Sequence, residues 1–205
     1  MSRDKLRIAV FASGSGSNFQ ALAEAARDGR LGPAEIALLV CDKPEAGVMA
    51  RAEKLGVETF AFRPKEYASR EAYETVIADE LAARGIGLIV LAGYMRILTD
   101  VLVRAYEGRM INVHPSLLPA FPGIRAIGQA LDYGVKVTGV TVHFVDGGLD
   151  SGPIIAQRVI ELSPGDTEET LAPRIHAIEH ELLPETVRLI AEGRVHLEGR
   201  IVTIS

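Results

Sequence analysis

Asn112 and His114 stand two residues apart in "MINVHPSLLPAFPG". On a strand that spacing sends both side chains off the same face. Pro115 follows at once and stops the ladder, so both residues fall near the carboxyl edge of the strand, where open α/β sheets gather their ligands. An amide donor beside an imidazole can stabilise an oxyanion developing during acyl transfer. The plainer alternative is a strand-end pair bonded to loop backbone. A second polar segment, "VDGGLDSGP", holds Asp146 and Asp150 in a stretch made pliable by Gly147, Gly148 and Gly152. A carboxylate brought from it to His114 would orient the ring and favour its protonated form. Asp and Gly are also ordinary turn residues.

A third element opens the chain. In "IAVFASGSGSNFQALAEA" the run Gly14-Ser15-Gly16-Ser17-Asn18 lies between an apolar stretch and one with helical spacing. A dinucleotide fingerprint needs a third glycine where this chain has Phe19, although Asp42 ends the second apolar run, where a ribose-binding acid would stand. No Lys-Ser/Thr follows, which excludes a Walker loop. Ser17 and Gln20 have the spacing of a capping box, with Ser17 as N-cap. A capped turn explains these residues; so does a cradle whose free N–H groups and positive helix end receive one phosphate. Ser13, Ser15 and Ser17 form no nucleophile elbow, since Ser15 is followed by Gly16. His176-Ala-Ile-Glu179-His180 spells the inverted zinc-protease pattern; two histidines on a surface helix are its commoner origin, and no third ligand stands out downstream.

The elements that must hold these residues follow from periodicity. Apolar runs at residues 7–12, 36–41, 57–62, 86–92 and 110–114 read as strands. Between them, Phe19, Leu22 and Ala26, then Val48, Ala52 and Leu55, then Tyr73, Ile77 and Leu81 stripe helices, two of which stop at Gly56 and Gly85. Thr99 is the expected N-cap of a helix over 100–106. This alternation implies an α/β fold: a Rossmann-like, mostly parallel sheet with helices on both faces. Beyond residue 135 the pattern changes to two strands, 135–145 and 153–162, an antiparallel addition. A long helix over 167–192 follows, with Pro173 near its start and a kink expected at Pro184, and then a hairpin about Glu198-Gly199. No repeat, linker or charge block divides the chain, so residues 1–205 read as a single domain.

The composition bounds the partners. A chain of 205 residues that is 48% hydrophobic and 24% charged can build a core, and a net charge of −5 argues against a nucleic-acid or membrane surface as the main partner. Cys41 is the sole cysteine, so no disulfide closes within the chain and a reducing compartment fits. "MSRDKLRIAV" is too short in apolar residues for a signal peptide, and no run reaches membrane-spanning length. The expectation is a soluble cytoplasmic protein.

"FASGSGSNFQAL", "VLAGYMRIL", "INVHPSLLPAFPG", "TVHFVDGGLDSGPIIAQ" and "GDTEETL" occur in this order along nearly the whole chain. Together they resemble the phosphoribosylglycinamide formyltransferase family of folate-dependent formyltransferases. The resemblance implies the formyltransferase fold. It also implies transfer of a formyl group from 10-formyltetrahydrofolate to the amine of glycinamide ribonucleotide in de novo purine biosynthesis, with no metal. It makes Asn112, His114 and Asp150 the catalytic trio. Gly16, Ser17 and Asn18 match the loop that holds the substrate phosphate; Glu179 matches a ribose contact, and His176 a basic position near the phosphate. Arg96, Ile97 and Leu98 match one wall of the folate pocket, with Val145, Asp146 and Asp150 opposite. Arg70 and Arg96 match positions that meet the folate's glutamate tail. The implied partners are small molecules, the chain itself being a monomer or homodimer. One segment departs: after "FPG", where relatives often carry a polar His-x-His, this chain has "IRAIG", leaving Arg125 as a possible charged partner for Asp150. Two other readings stay open. A formyltetrahydrofolate deformylase shares the trio but usually adds an N-terminal regulatory domain, for which a strand beginning at residue 7 leaves no room. The other is a non-catalytic dinucleotide-binding module.

Overall fold

A computed structural model describes residues 5–205. Strands β1 (Leu6–Ala12), β2 (Ala34–Cys41), β3 (Thr59–Ala61), β4 (Leu88–Leu91) and β5 (Met110–His114) pair in parallel; β6 (Val137–Phe144) adds antiparallel to β5, and β7 (Ile154–Glu161) antiparallel to β6. The sheet order is β3-β2-β1-β4-β5-β6-β7, which sets β1 and β4 side by side at its centre. Helices α1 (Ser17–Arg27), α2 (Gly47–Leu55), α3 (Arg70–Ala83), α4 (Asp100–Ala105), α5 (Ala126–Tyr133) and α6 (Glu168–Ala191) connect them, and a separate hairpin, β8 (Val195–Glu198) with β9 (Ile201–Ile204), closes the chain.

The two-residue alternation of each strand builds two dry layers. Ile8, Val10 and Ala12 of β1 face a cluster with Phe19 and Leu22 of α1, Val48 of α2 and Leu171, Ile175 and Leu183 of α6. Ala9 and Phe11 of the same strand face the other side, toward Tyr73, Ile77 and Leu81 of α3 and Leu102 of α4. Phe19, which stands where a dinucleotide fingerprint has its third glycine, is fully buried, so an aromatic ring rather than a close backbone approach seats α1 on the sheet.

Most expected elements form. The third strand shrinks to three residues at the sheet edge, half-exposed where a central strand would be dry. Helix α5 was not anticipated. It has eight residues, an interior glycine and no side-chain cap, so periodicity has little to register. Helix α6 runs through both Pro173 and Pro184; the kink expected at Pro184 does not interrupt the element, which Leu182, Leu183 and Val187 press into the core.

Phe19→Ala should lower folding stability by about 3–5 kcal/mol, the usual cost of deleting a buried aromatic. Urea unfolding monitored by circular dichroism measures it; a loss below about 1 kcal/mol would show that α1 is seated by other contacts.

Candidate active site

Strand β5 delivers Asn112 and His114 to its carboxyl end as the spacing implies, and His143 of β6 is the direct cross-strand partner of Asn112. After His114 the chain folds back over the strand. The His114 Nε2 lies 2.8 Å from the carbonyl oxygen of Phe121; a carbonyl only accepts, so Nε2 carries the proton and donates it. The other ring nitrogen, Nδ1, lies 3.4 Å from Asp150 Oδ2. The same carboxylate oxygen accepts from the Gly123 backbone N–H at 2.7 Å, and Oδ1 accepts from the Asn112 amide at 3.4 Å. Asp150 adopts a left-handed backbone (φ 49°), a strained choice for a non-glycine residue that the surrounding bonds maintain.

His143 was not foreseen as part of this group. It is buried; its Nδ1 donates to the Phe144 carbonyl at 2.7 Å, which leaves Nε2 to accept from the Asn112 amide at 3.3 Å. Burial pushes its pKa below the ordinary value, outweighing the upward pull of the Phe144 carbonyl and Asp150. A neutral His143 therefore turns the Asn112 NH₂ toward Asp150 and the open side of the site. The cross-strand register, rather than any motif, carries the signal that would have revealed it. Asp146 behaves differently from Asp150: it accepts from the Gly148 N–H and the Ser151 hydroxyl, a brace within its own loop. Arg125 does not replace the absent polar support of Asp150. Its side chain reaches Glu168 at 3.2 Å, and Gly123 with Asn112 supports the carboxylate instead.

The opening loop corrects one expectation. Ser17 is the first helical residue, not the cap; Gly16 occupies the N-cap in a left-handed conformation (φ 79°) and no side chain caps the helix. Gln20 bonds Glu24 and Arg51 instead of closing a capping box. A Cβ at Gly16 would meet Val48 Cγ2 at 2.4 Å, so glycine is required both for the φ and for the approach to α2. The first N–H groups of α1 are thus left without a side-chain partner beside Ser17 and Asn18. The Asn18 amide donates to Glu179 Oε2 at 3.0 Å, joining α1 to α6. Burial raises the Glu179 carboxyl above its ordinary pKa, while Asn18, His176 and His114 draw it back. In the "HAIEH" segment Glu179 is therefore committed to Asn18, while the rings of His176 and His180 stack with centroids 6.4 Å apart. Among the described residues no group of three or more His, Cys, Asp or Glu side chains is arranged to hold a metal ion.

Across the sheet edge from this loop, residues 93–99 link β4 to α4. Met95 and Ile97 are 71% and 70% exposed, while Leu98, like Val145, packs against the core on the α3 side of the sheet. The Arg96 guanidinium is bonded through Nε to Asp42 Oδ2 at 2.7 Å, and the Asp42 side chain is wholly buried. Asp42 is thereby committed to an arginine rather than offered to a ribose, which removes the remaining support for a dinucleotide site. Arg70 donates a long hydrogen bond of 3.5 Å to the Ile97 carbonyl. The structure thus gathers Asn112, His114 and Asp150 at one strand end. Gly16, Ser17, Asn18 and Glu179 lie on the side of the sheet that α1 and α6 cover, and the 93–99 loop packs on the α3 side.

Comparison with known proteins shows the family and the fold. Residues 6–187 match the model of the formyl transferase family. A phosphoribosylglycinamide formyltransferase of Bacillus subtilis is 52% identical over 89% of this chain and 93% of its own length. The trifunctional purine biosynthetic protein adenosine-3 of Bos taurus is 42% identical over 98% of this chain, which spans only 20% of that longer protein. The crystal structure of glycinamide ribonucleotide transformylase 1 from Symbiobacterium toebii superposes with a TM-score of 0.95 at 47% identity, covering 98% of this chain and 94% of that one.

The buried, neutral His143 makes stability depend on pH. Its folded pKa lies below the ordinary 6.5, so the unfolded chain takes up a proton first as the pH falls. Folding stability should therefore drop between about pH 7 and pH 5 and the loss should level off below the folded pKa. His143→Gln should lose less over the same interval. Urea midpoints of both proteins at about pH 7.5 and 5.5 give the comparison; equal losses would place the acid sensitivity elsewhere.

Proposed function

The chain belongs to the formyl transferase family, and from that membership we propose that it transfers the formyl group of 10-formyltetrahydrofolate to the amine of glycinamide ribonucleotide in purine biosynthesis. The observation that carries this reading is that the Asn112–His114–Asp150 group and an uncapped helix end at Gly16–Ser17 stand at the same carboxyl edge of one sheet, after β5 and β1. The first can stabilise an acyl-transfer oxyanion and the second can anchor a substrate's phosphate. An enzyme acting on the folate alone would have no use for the cradle, which favours the transferase over a deformylase.

The reaction follows from the bonding. The neutral amine attacks the formyl carbon, and charge collects on the formyl oxygen. His114 is held through Nε2 by the Phe121 carbonyl, so with a proton on both nitrogens it turns Nδ1–H toward that oxygen. The Asn112 amide supplies the second donor. Both donors contact Asp150 at a long 3.4 Å, contacts readily exchanged for the developing oxyanion, whereas the 2.7 Å bond from Gly123 keeps the carboxylate in place. Asp150 then accepts the proton that leaves the amine, directly or through a water. Collapse of the intermediate breaks the bond to the folate nitrogen, which leaves protonated as tetrahydrofolate, and yields formylglycinamide ribonucleotide. Each oxyanion donor is worth about 3–4 kcal/mol of barrier. Glu179 and His176 take the ribose and phosphate side of the nucleotide. Arg96, Ile97 and Leu98, with Val145 and Asp146 opposite, take the folate, and exposed Met95 and Ile97 suit its flat, partly apolar rings. Arg70 and the free end of the Arg96 guanidinium face the folate's carboxylate tail. No helix among the described residues is long and apolar enough to cross a membrane; we place the enzyme in the cytoplasm, with its one buried thiol, Cys41, reduced.

Protein mixed with 10-formyltetrahydrofolate should change folate absorbance only when glycinamide ribonucleotide is present. Release of formate without the amine would replace the transferase by a hydrolase. Asp150→Asn should cut turnover by about 10²-fold or more, and near-normal turnover would reduce Asp150 to a turn residue.

The cradle has its own test. Ser17→Asp adds negative charge at the start of α1, which favours the helix by a few tenths of a kcal/mol and repels a phosphate. The variant should unfold no earlier than the parent while its KM for glycinamide ribonucleotide rises by about tenfold or more. An unchanged KM would move the phosphate elsewhere.

A further inference from the structure

Glu74 of α3 is a fully buried carboxylate for which formyl transfer has no use. A charge taken out of water is costly unless hydrogen bonds replace its hydration. Here they come from one residue: the Thr99 N–H lies 2.9 and 3.0 Å from the two carboxylate oxygens, and the Thr99 hydroxyl donates to Oε2 at 2.6 Å. That hydroxyl also accepts from the Val101 N–H, capping α4. A buried apolar pair would join α3 to α4 at less cost. What the carboxylate adds is direction, because three short bonds fix Thr99 to one place where apolar contact would let it slide.

Thr99 immediately follows Leu98, at the end of the segment carrying the exposed Met95 and Ile97. The other end of that segment is also bonded to buried groups. Ser13, at the exit of β1, donates its N–H to the Gly93 carbonyl at 3.0 Å and accepts the Met95 N–H on its hydroxyl at 2.9 Å. Asp42 holds Arg96 between the two ends. A loop with two large apolar side chains in water has every hydrophobic reason to fold inward, and these attachments hold it open.

We infer that Glu74 is a positioning residue for the pocket of the formyl donor, acting through Thr99. The inference rests on the reading above in which Arg96, Ile97 and Leu98 line that pocket. Releasing Thr99 frees the carboxyl end of the wall, so the donor must order it on binding; the nucleotide cradle, on the opposite side of the site, is untouched.

Steady-state kinetics on Glu74→Gln, Thr99→Val and Thr99→Ser test it. Glu74→Gln and Thr99→Val should each raise the KM for 10-formyltetrahydrofolate by about tenfold, with the KM for glycinamide ribonucleotide within about twofold of the parent. The double variant should be no worse than the more damaged single one, since both break one set of bonds. Thr99→Ser, which keeps both donors, should behave as the parent. If Glu74→Gln fails to fold, the two Thr99 variants decide the matter by the same split. A folded Glu74→Gln or Thr99→Val with an unchanged donor KM, or with both KM values rising together, overturns the inference. Ile97→Asp separates this from the underlying reading. An unchanged donor KM in Ile97→Asp would bring down the pocket assignment itself, while a raised one beside normal Glu74 and Thr99 variants would bring down only the role of Glu74.

Discussion

Strands β1 and β4 are covered on both faces, and that requirement governs where polar chemistry can stand. Ile8, Val10 and Ala12 must satisfy one dry layer while Ala9 and Phe11 satisfy the other, so between Ile8 and Ala12, and along β4, no charged residue can stand. The one charge of these strands, Arg7, sits at the half-exposed amino end of β1. Polar groups are displaced to the carboxyl ends, where the ladder stops and backbone groups need new partners. Ser13, Asp42, Asn112 and His114 all lie at or just beyond a strand's last paired residues. Parallel pairing then sets the ends of β1, β2, β4 and β5 along one edge. The site is concentrated there because the core permits it nowhere else.

At that edge, neutral and charged groups divide the work. His143 is held neutral by burial and spends its one acceptor on the Asn112 amide. Asp150 lies 3.4 Å from His114, with a backbone N–H rather than a cation as its shortest partner. A guanidinium in the place of Gly123 would compete with His114 for the carboxylate; a backbone donor fixes the carboxylate without neutralising it. Arg125, turned away toward Glu168, leaves that balance undisturbed.

The sheet and the Asn112–His114 pair were legible because each rests on short-range pattern: unbroken apolar runs, a two-residue spacing, a proline that ends a ladder. Local pattern left Asp146 and Asp150 alike, and only the family resemblance pointed to Asp150. Strand β5 ends at His114, next to Pro115, as its residues imply. The departures have equally local causes. Ser17 has the composition of a cap, but Gly16 can turn left-handed and start the helix one residue earlier than the motif suggests. His143 looks like any residue of an apolar strand until the register of β6 on β5 sets it against Asn112. The Asp42–Arg96 and Glu74–Thr99 pairs join residues 54 and 25 positions apart, beyond what local spacing can report.

The left-handed glycine at the head of α1 leaves that helix without a side-chain cap. A serine or aspartate cap is worth about 1 kcal/mol to a helix, and the crowding of Val48 against Gly16 closes that position to any side chain. The fold forgoes a stabilising bond at its first helix, and in the function proposed above those donors serve the substrate's phosphate. A bound phosphate would then serve as the absent cap, so that occupancy and folding become one linked equilibrium. Each tenfold rise of free ligand above its dissociation constant would add about 1.4 kcal/mol to the folded state. In a cell the enzyme would be most durable when its substrate is plentiful, and the nucleotide pool would help to set how long each molecule survives.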